Sequence, residues 1–319
     1  MKTIYLVLPC YNEELVINDS AVKLKQLMSN LMNKTKITNN SKIIFVDDGS
    51  IDTTWSLLEN ICQNDDLFGA IRLAHNTGHQ NALLAGMMAV KDLCDAVITL
   101  DADLQHDINA IPRFIELFEE GYDIVNGIRK SRSKESFFKK LSGDMFYNLM
   151  NLFGAKIIKN HADYRLLSSR ALNALAKYEE VNLFLRGIIP QIGFKSTTLE
   201  YEEKPRLAGE SKYSLSKMLK LAADGITSFS IRPLQLITVS GILFFVFSII
   251  MFIYAIVAYA QNGTVPGWTS IVAPLWLIGG IQLLALGIVG EYIGKIYLET
   301  KHRPRYEIAE MLMTETSVH

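Results

Sequence analysis

The sequence predicts an α/β domain with a mostly parallel sheet, followed by an interfacial amphipathic helix and two transmembrane helices. Three observations predict it. Short, nearly all-apolar runs alternate with helix-like segments through the first half of the 319-residue chain, as in a parallel sheet covered on both faces. Two stretches near the C-terminus, Leu234–Ala260 and Thr269–Gly290, hold no charged residue. Each meets the need for roughly 20 apolar residues to cross hydrocarbon. Just before them, Leu215, Met218, Leu219, Ala222, Ile226 and Phe229 recur at helical spacing, with Lys217, Lys220 and Asp224 between. Such a helix suits the membrane interface.

In chain order, Thr3–Leu8, Lys42–Val46, Ala70–Leu73, Ala96–Leu100 and Asp123–Asn126 read as strands. Glu13–Met32, Thr53–Cys62, Asn81–Lys91 and Ile108–Glu120 read as the helices between and after them. The strand at Thr3–Leu8, with no small-residue cleavage site after it, argues against a signal peptide. Ligands of such sheets bind beyond the carboxyl ends of the strands. The polar clusters Pro9–Glu13, Asp47–Asp52, Asn76–Gln80 and Asp101–Asp107 are expected there. Lys204–Lys212 reads as a basic, glycine-containing loop. Gln261–Trp268 reads as the turn of a helical hairpin. Lys212, Lys217, Lys220 and Arg232 precede the first span, and Lys295, Lys301, Arg303 and Arg305 follow the second. The positive-inside rule then places both termini in the cytoplasm.

The expected division is a catalytic domain over 1–211, the interfacial helix over 212–232, the hairpin over 233–296 and a cytoplasmic tail over 297–319. The tail beyond Tyr306 is polar and is expected to be poorly ordered. Gly287, Gly290 and Gly294 lie near one face of the second span. Close packing there, within the hairpin or in a homo-oligomer, is the expectation.

Composition narrows the function. Lys+Arg 32 against Asp+Glu 33 gives no support for nucleic-acid binding. Cys10, Cys62 and Cys94 lack metal-ligand spacing and read as small buried hydrophobes in a reducing compartment. The chemistry is concentrated in AVITLDADLQHD, Ala96–Asp107, where a β-branched strand ends in Asp101 and Asp103. Two close carboxylates repel, and a divalent cation relieves the repulsion. Oxygen ligands suit Mg²⁺ or Mn²⁺ over Zn²⁺. His106 beside them reads as a surface or hydrogen-bonding residue rather than a ligand. Asp47-Asp48-Gly49-Ser50 follows another strand. Alone it reads equally as a nucleoside contact or as a turn and helix cap.

These motifs resemble the family 2 glycosyltransferases of GT-A (Rossmann-like) fold. More closely they resemble the polyprenyl-phosphate enzymes, namely the bactoprenol (undecaprenyl-phosphate) glucosyl- and N-acetylglucosaminyltransferases and the dolichyl-phosphate mannose synthases. The resemblance rests on LPCYNEE, VDDGSIDTT, NTGHQNALLAG, LDADLQHD, ADYRLLSSRAL, RLAGESKYSLSKMLKLAADGITSFS and RPL, in that order. One departure is that the family commonly writes proline directly after the H or HD. Here Pro112 follows INAI, which leaves the carboxylates in place.

The resemblance implies Pro9, Tyr11, Glu13, Asp48 and Asp101 as nucleotide-sugar contacts. It implies Asp101, Asp103 and Gln105 as metal ligands, and Asp103, Asp163 and Arg206 as catalytic. Arg129, Lys140, Ser142, Arg206 and Lys212 would hold the acceptor phosphate. The implied activity is metal-dependent, inverting transfer of one glucose or N-acetylglucosamine from a UDP-sugar to undecaprenyl phosphate. It would occur on the cytoplasmic face of the cell membrane and supply cell-envelope glycosylation. A polyprenyl phosphate has a second pKa of about 6 and is already ionised, so Asp163 is expected to orient groups more than to take a proton. A GDP-mannose donor is the near alternative. A processive polysaccharide synthase would carry a QxxRW motif, and none of Trp55, Trp268 and Trp276 follows an Arg. A non-enzymatic nucleotide-sugar sensor would have no need of the acidic pair or the loop Arg206–Tyr213.

Overall fold

The computed structural model describes residues 1–130, 161–180, 184–202, 234–235, 237–243, 246–247, 250 and 268–313. They fall in two compact units: the described residues up to 202 together with those from Arg303 onward form one, and those from 234 to His302 form the other.

The first unit is an α/β domain on one eight-stranded sheet. Its strands are β1 (Ile4–Cys10), β2 (Lys42–Asp47), β3 (Phe68–Leu73), β4 (Ala96–Thr99), β5 (Ile124–Arg129), β6 (His161–Ser168), β7 (Ser196–Tyr201) and β8 (Ile308–Leu312). Their order is β7-β5-β6-β4-β1-β2-β3-β8. β1 pairs in parallel with β2 and β4, β2 with β3, and β5 with β7. β1 and β2 are buried along their whole length, which is why β1 and the Ile43–Val46 centre of β2 read as apolar runs.

Helices α1 (Ile17–Asn33), α2 (Thr54–Asn64), α3 (His79–Val90) and α4 (Ile111–Glu119) follow β1 to β4 in turn. α1 buries Ile17, Ala21, Leu24, Met28 and Leu31, one face at helical spacing. It starts at Ile17 rather than Glu13; Asn12 N–H bonds to Ser50 in the loop after β2 and Glu13 N–H to Thr54 at the start of α2. Pro112, the displaced proline of the motif, sits in the first turn of α4, where its missing N–H costs nothing. Two short helices, α5 (Ser169–Leu175) and α6 (Leu185–Ile188), follow β6.

α3 lies directly on the sheet at Gly86. A Cβ there would come within 2.5 Å of Val7 Cγ1 and 2.6 Å of Val46 Cγ2. Both neighbours are β-branched and cannot swing aside easily. Gly86→Ala is therefore expected to cost about 1–3 kcal/mol, read as a lower midpoint in urea or thermal unfolding. An unchanged midpoint would show that helix and sheet can separate freely.

Two features depart from the sequence reading. β6 runs antiparallel between β4 and β5. The described part of the tail is not loose: β8 pairs antiparallel with β3. Ala74 N–H donates to Glu307 C=O, and Arg305 donates to Tyr178 C=O, both at 2.9 Å. The physical reason is the open edge of β3, whose backbone donors and acceptors need partners.

In the second unit, α7 (Trp268–Thr300) is continuous over 33 residues. It contains Thr269–Gly290 and runs past residue 296. Among the described residues no helix is long and apolar enough to cross a membrane. Also among them, a Cβ at Gly287, Gly290 or Gly294 meets nothing within 4 Å. The expected boundaries at 211/212 and 232/233, and the interfacial helix, lie outside the described residues.

Candidate functional site

The strand register brings the chemistry to one edge of the sheet. β1 to β4 end on the same side, at Cys10, Asp47, Leu73 and Thr99. β6 runs the other way, with Thr99 opposite Arg165. Asp163 therefore stands beside the loop that leaves β4. The Thr99 hydroxyl donates to the Asp163 carbonyl at 2.6 Å and fixes that junction.

The loops after β1, β2 and β3 are tied together. Asn12 N–H donates to Ser50 Oγ at 2.9 Å, and Ile51 N–H to Asn12 Oδ1 at 3.0 Å. Glu14 Oε2 accepts from the Thr53 hydroxyl at 2.7 Å. Gly49 has φ +70, and a Cβ there would lie 2.7 Å from the His75 carbonyl carbon, so only glycine allows the approach. Asp48 is buried. Its Oδ1 accepts from Thr77 N–H at 2.7 Å and its Oδ2 from Gly78 N–H at 2.9 Å. Both carboxylate oxygens thus hold the loop that begins α3. Tyr11 is exposed at the rim, while Pro9 is buried beside Val46 in the sheet. Burial pushes the Cys10 thiol well above its ordinary pKa, with Asp47 and Glu13 adding to it. Cys10 and Cys94 are buried, Cys62 is partly so, and all three are free thiols.

The acidic loop turns sharply at Leu104, whose φ of 48 is rare for a branched residue. The turn lets Gln105 N–H donate to Asp103 Oδ1 at 3.2 Å. Asp101, Asp103 and Gln105 are all half-buried. Among the described residues no group of three or more His, Cys, Asp or Glu gathers as a metal site. The donor set still fits a hard cation that takes its other oxygens from a bound diphosphate, since Mg²⁺ commonly uses one or two carboxylates plus substrate phosphates. Gln105 Nε2 is buried with no hydrogen-bond partner among the described residues. Turning that amide over presents its oxygen instead.

Asp163 is the hub of the site. It is 8 % exposed. Arg165 Nη2 meets Oδ1 at 2.5 Å, and Arg186 spans both oxygens at 3.3 and 2.9 Å. His79 Nε2 stands 3.5 Å from Asp163 Oδ2 and 3.7 Å from Asp101 Oδ1, linking the two acids. Burial alone would raise the Asp163 carboxyl. The hydrogen bond from His79 and the charges of Arg165 and Arg186 outweigh it and hold the group well below the usual range. Burial lowers His79, but Asp163 and Asp101 reverse that and raise it. Arg165, fully buried, is brought down to about 10 by its burial.

Of the residues the sequence nominated, Pro9, Tyr11, Glu13, Asp48, Asp101, Asp103, Gln105, Asp163 and Arg129 belong to elements ending at this edge. Arg129 is exposed at the end of β5. Lys140, Ser142, Arg206 and Lys212 lie outside the described residues. The sequence reading missed His79, Arg165 and Arg186. Arg165 had a signal, since a charge two residues from Asp163 shares its strand face. Arg186, 23 positions from Asp163, had none.

Comparison with known proteins follows the same lines. A family model described as glycosyl transferase family 2 matches residues 5–176, and one described as the GtrB C-terminal hairpin matches residues 232–296. The chain is 46% identical over 303 residues to the uncharacterized glycosyltransferase YkoT of Bacillus subtilis (strain 168), covering 95% of this chain and 90% of that one. It is 39% identical over 272 residues to the bactoprenol glucosyl transferase of Shigella phage SfX, covering 84% and 88%. A crystal structure of glucosyl-3-phosphoglycerate synthase from Mycobacterium tuberculosis aligns with a TM-score of 0.42 and 17% identity, over 71% of this chain and 78% of that one.

Proposed function

The chain belongs to glycosyltransferase family 2, and from that premise we propose that it transfers one glucose or N-acetylglucosamine from a UDP-sugar to undecaprenyl phosphate. The observation that carries this reading is the pairing of the Asp101/Asp103 loop with an Asp163 carboxylate already bound by two arginines. Relatives named bactoprenol glucosyl transferase support the lipid acceptor. The two uncharged stretches and the hairpin match over 232–296 support a multi-pass enzyme of the cell membrane, catalytic domain and termini cytoplasmic. The small-residue face at Gly290 and Gly294 supports a homo-oligomer.

In this reading the lipid phosphate oxygen attacks the anomeric carbon in line. The bond from that carbon to the diphosphate oxygen breaks, and UDP leaves with the electron pair. One displacement inverts an α-linked donor to a β-linked product. The nucleophile arrives ionised, so no side chain need take its proton. Asp163, held anionic, orients Arg165, Arg186 and His79 around the donor sugar. Asp101, Asp103 and Gln105 would hold Mg²⁺ or Mn²⁺, whose bound charge would stabilise the leaving diphosphate. Pro9, Tyr11, Glu13 and Asp48 line the nucleoside end, and Asp48 also keeps the neighbouring loop in place. Arg129, Lys140, Ser142, Arg206 and Lys212 would receive the acceptor phosphate.

The test is a panel of UDP-glucose, UDP-N-acetylglucosamine and GDP-mannose with undecaprenyl phosphate in vesicles, with the product's anomer read by NMR. A β-linked lipid product from a UDP-sugar is expected. Turnover of GDP-mannose alone, or nucleotide release with no lipid product, would overturn the reading. A second variant probes the acceptor side. Arginine grips a phosphate with two parallel hydrogen bonds that lysine cannot copy. Arg206→Lys is expected to raise the KM for the lipid about tenfold and leave calorimetric UDP affinity unchanged. A collapse of UDP affinity would move Arg206 to the donor site.

A further inference from the structure

His106 is buried against the acidic loop and touches one aspartate at both ends. Asp101 N–H donates to its Nδ1 at 3.3 Å, and its Nε2 faces Asp101 Oδ2 at 3.6 Å. We infer that His106 is a positioning residue that locks the Asp101 carboxylate in the orientation used to bind a divalent cation. The inference rests on the proposed reading of Asp101 and Asp103 as the cation's carboxylates.

A ring nitrogen that accepts a hydrogen bond carries no hydrogen of its own. With Nδ1 accepting from the Asp101 backbone, the hydrogen of the neutral ring sits on Nε2. The main chain of Asp101 thus sets the tautomer, and its side chain faces the resulting N–H. At 3.6 Å this is a contact, and a closure of about half an ångström would make it a hydrogen bond. Asp101, half-buried at the surface of the loop, is the partner able to move.

The ring is held on every side. It is 1 % exposed. It stacks on Tyr164 at 5.0 Å with planes 15° apart, and Tyr201 meets it edge-on at 5.5 Å. The Tyr164 hydroxyl donates to the Asp107 carbonyl at 3.1 Å, anchoring the far end of the same loop. Phe114 of α4 packs on Tyr164 at 4.6 Å. Turning the ring over would replace Nδ1 with a carbon and strand the Asp101 N–H. On its other side Asp101 Oδ1 faces His79 Nε2 at 3.7 Å. The two imidazoles face the two carboxylate oxygens separately, so closing these contacts by about half an ångström would fix the plane of the carboxylate. Partners that orient a metal's ligands typically change metal affinity by 10- to 100-fold when removed.

The experiment measures Mn²⁺ binding to the full chain at saturating UDP, from the electron paramagnetic resonance signal of free Mn²⁺, with no sugar transfer involved. His106→Asn keeps an acceptor for the Asp101 N–H and loses the donor at the Nε2 position. His106→Gln offers an amide N–H near that position. His106→Asn is expected to weaken Mn²⁺ binding at least about tenfold, with His106→Gln recovering most of the loss. Thermal unfolding without metal or UDP should differ little between the two variants, which a merely structural role would not separate from affinity. Parental Mn²⁺ affinity in His106→Asn, or equal loss in both variants, would overturn the inference. Asp101→Asn is the companion arm. If it too binds Mn²⁺ as the parent does, the failure lies with the metal reading. If it loses Mn²⁺ while His106→Asn does not, only the role of His106 fails.

Discussion

Asp103→Asn is expected to fold and to fractionate with membranes as the parent does, while losing sugar transfer by about a thousandfold. The substitution isolates charge from shape. Asp103 Oδ1 accepts the Gln105 N–H at 3.2 Å, and an asparagine oxygen in the same place can accept it too. The turn at Leu104 and the burial of the loop are then kept. What goes is one of the two negative charges available to a divalent cation. A bound metal contributes several kcal/mol of charge stabilisation to a leaving diphosphate, and each 1.4 kcal/mol is about a factor of ten in rate. The check is transfer rate against added Mg²⁺ or Mn²⁺, beside the unfolding midpoint of both proteins. Excess metal should recover part of the rate. Full activity of this variant in chelator-treated buffer would remove the metal from the mechanism.

The sequence carried the fold where burial is two-sided. β1, β2 and β4 are built on buried apolar stretches, and their strands stand within two residues of the expected ends. β6 escaped because it buries a charged pair: Asp163 and Arg165 interrupt the apolar pattern, yet each neutralises the cost of burying the other. β7 escaped because it alternates exposed and half-buried residues at the sheet edge. β8 escaped because its reason for forming lies elsewhere in the chain, in the open edge of β3. The site divides the same way. Asp101, Asp103 and Asp48 follow strands in sequence, so strand ends predict their place. Arg186 and His79 reach Asp163 through tertiary packing, from α6 and from the start of α3, and no local spacing records that. Asp48 has a structural role that its strand-end position does not announce. Both its oxygens accept backbone N–H groups of the Thr77–Gly78 turn, so it shapes the loop that presents His79.

Asp163→Asn is expected to cost about 3–5 kcal/mol of stability, because it leaves Arg165 buried beside a neutral amide. Transfer should fall as well, so loss of activity in this variant does not separate an orienting role from a proton-accepting one. The pH dependence of the parent does. Asp163 is held below the ordinary carboxylate range chiefly against its own burial, by His79, Arg165 and Arg186. A depressed folded-state value stabilises the protein above the unfolded value of about 3.9. That contribution is lost as pH falls through the lower, folded value. The parent should therefore lose stability on strong acidification, and Asp163→Asn should show a shallower acid limb in unfolding midpoint against pH. The rate profile follows from the same shift. A group ionised throughout the range from about pH 5 to 9 gives no limb there. The limb expected near about pH 6 belongs to the second ionisation of the lipid phosphate. Replacing that acceptor with its phosphonate analogue, which ionises at higher pH, should move the limb upward. A limb that stays in place when the acceptor changes would assign the titration to the enzyme, and His79, raised by Asp163 and Asp101, would be the group to test as the proton acceptor.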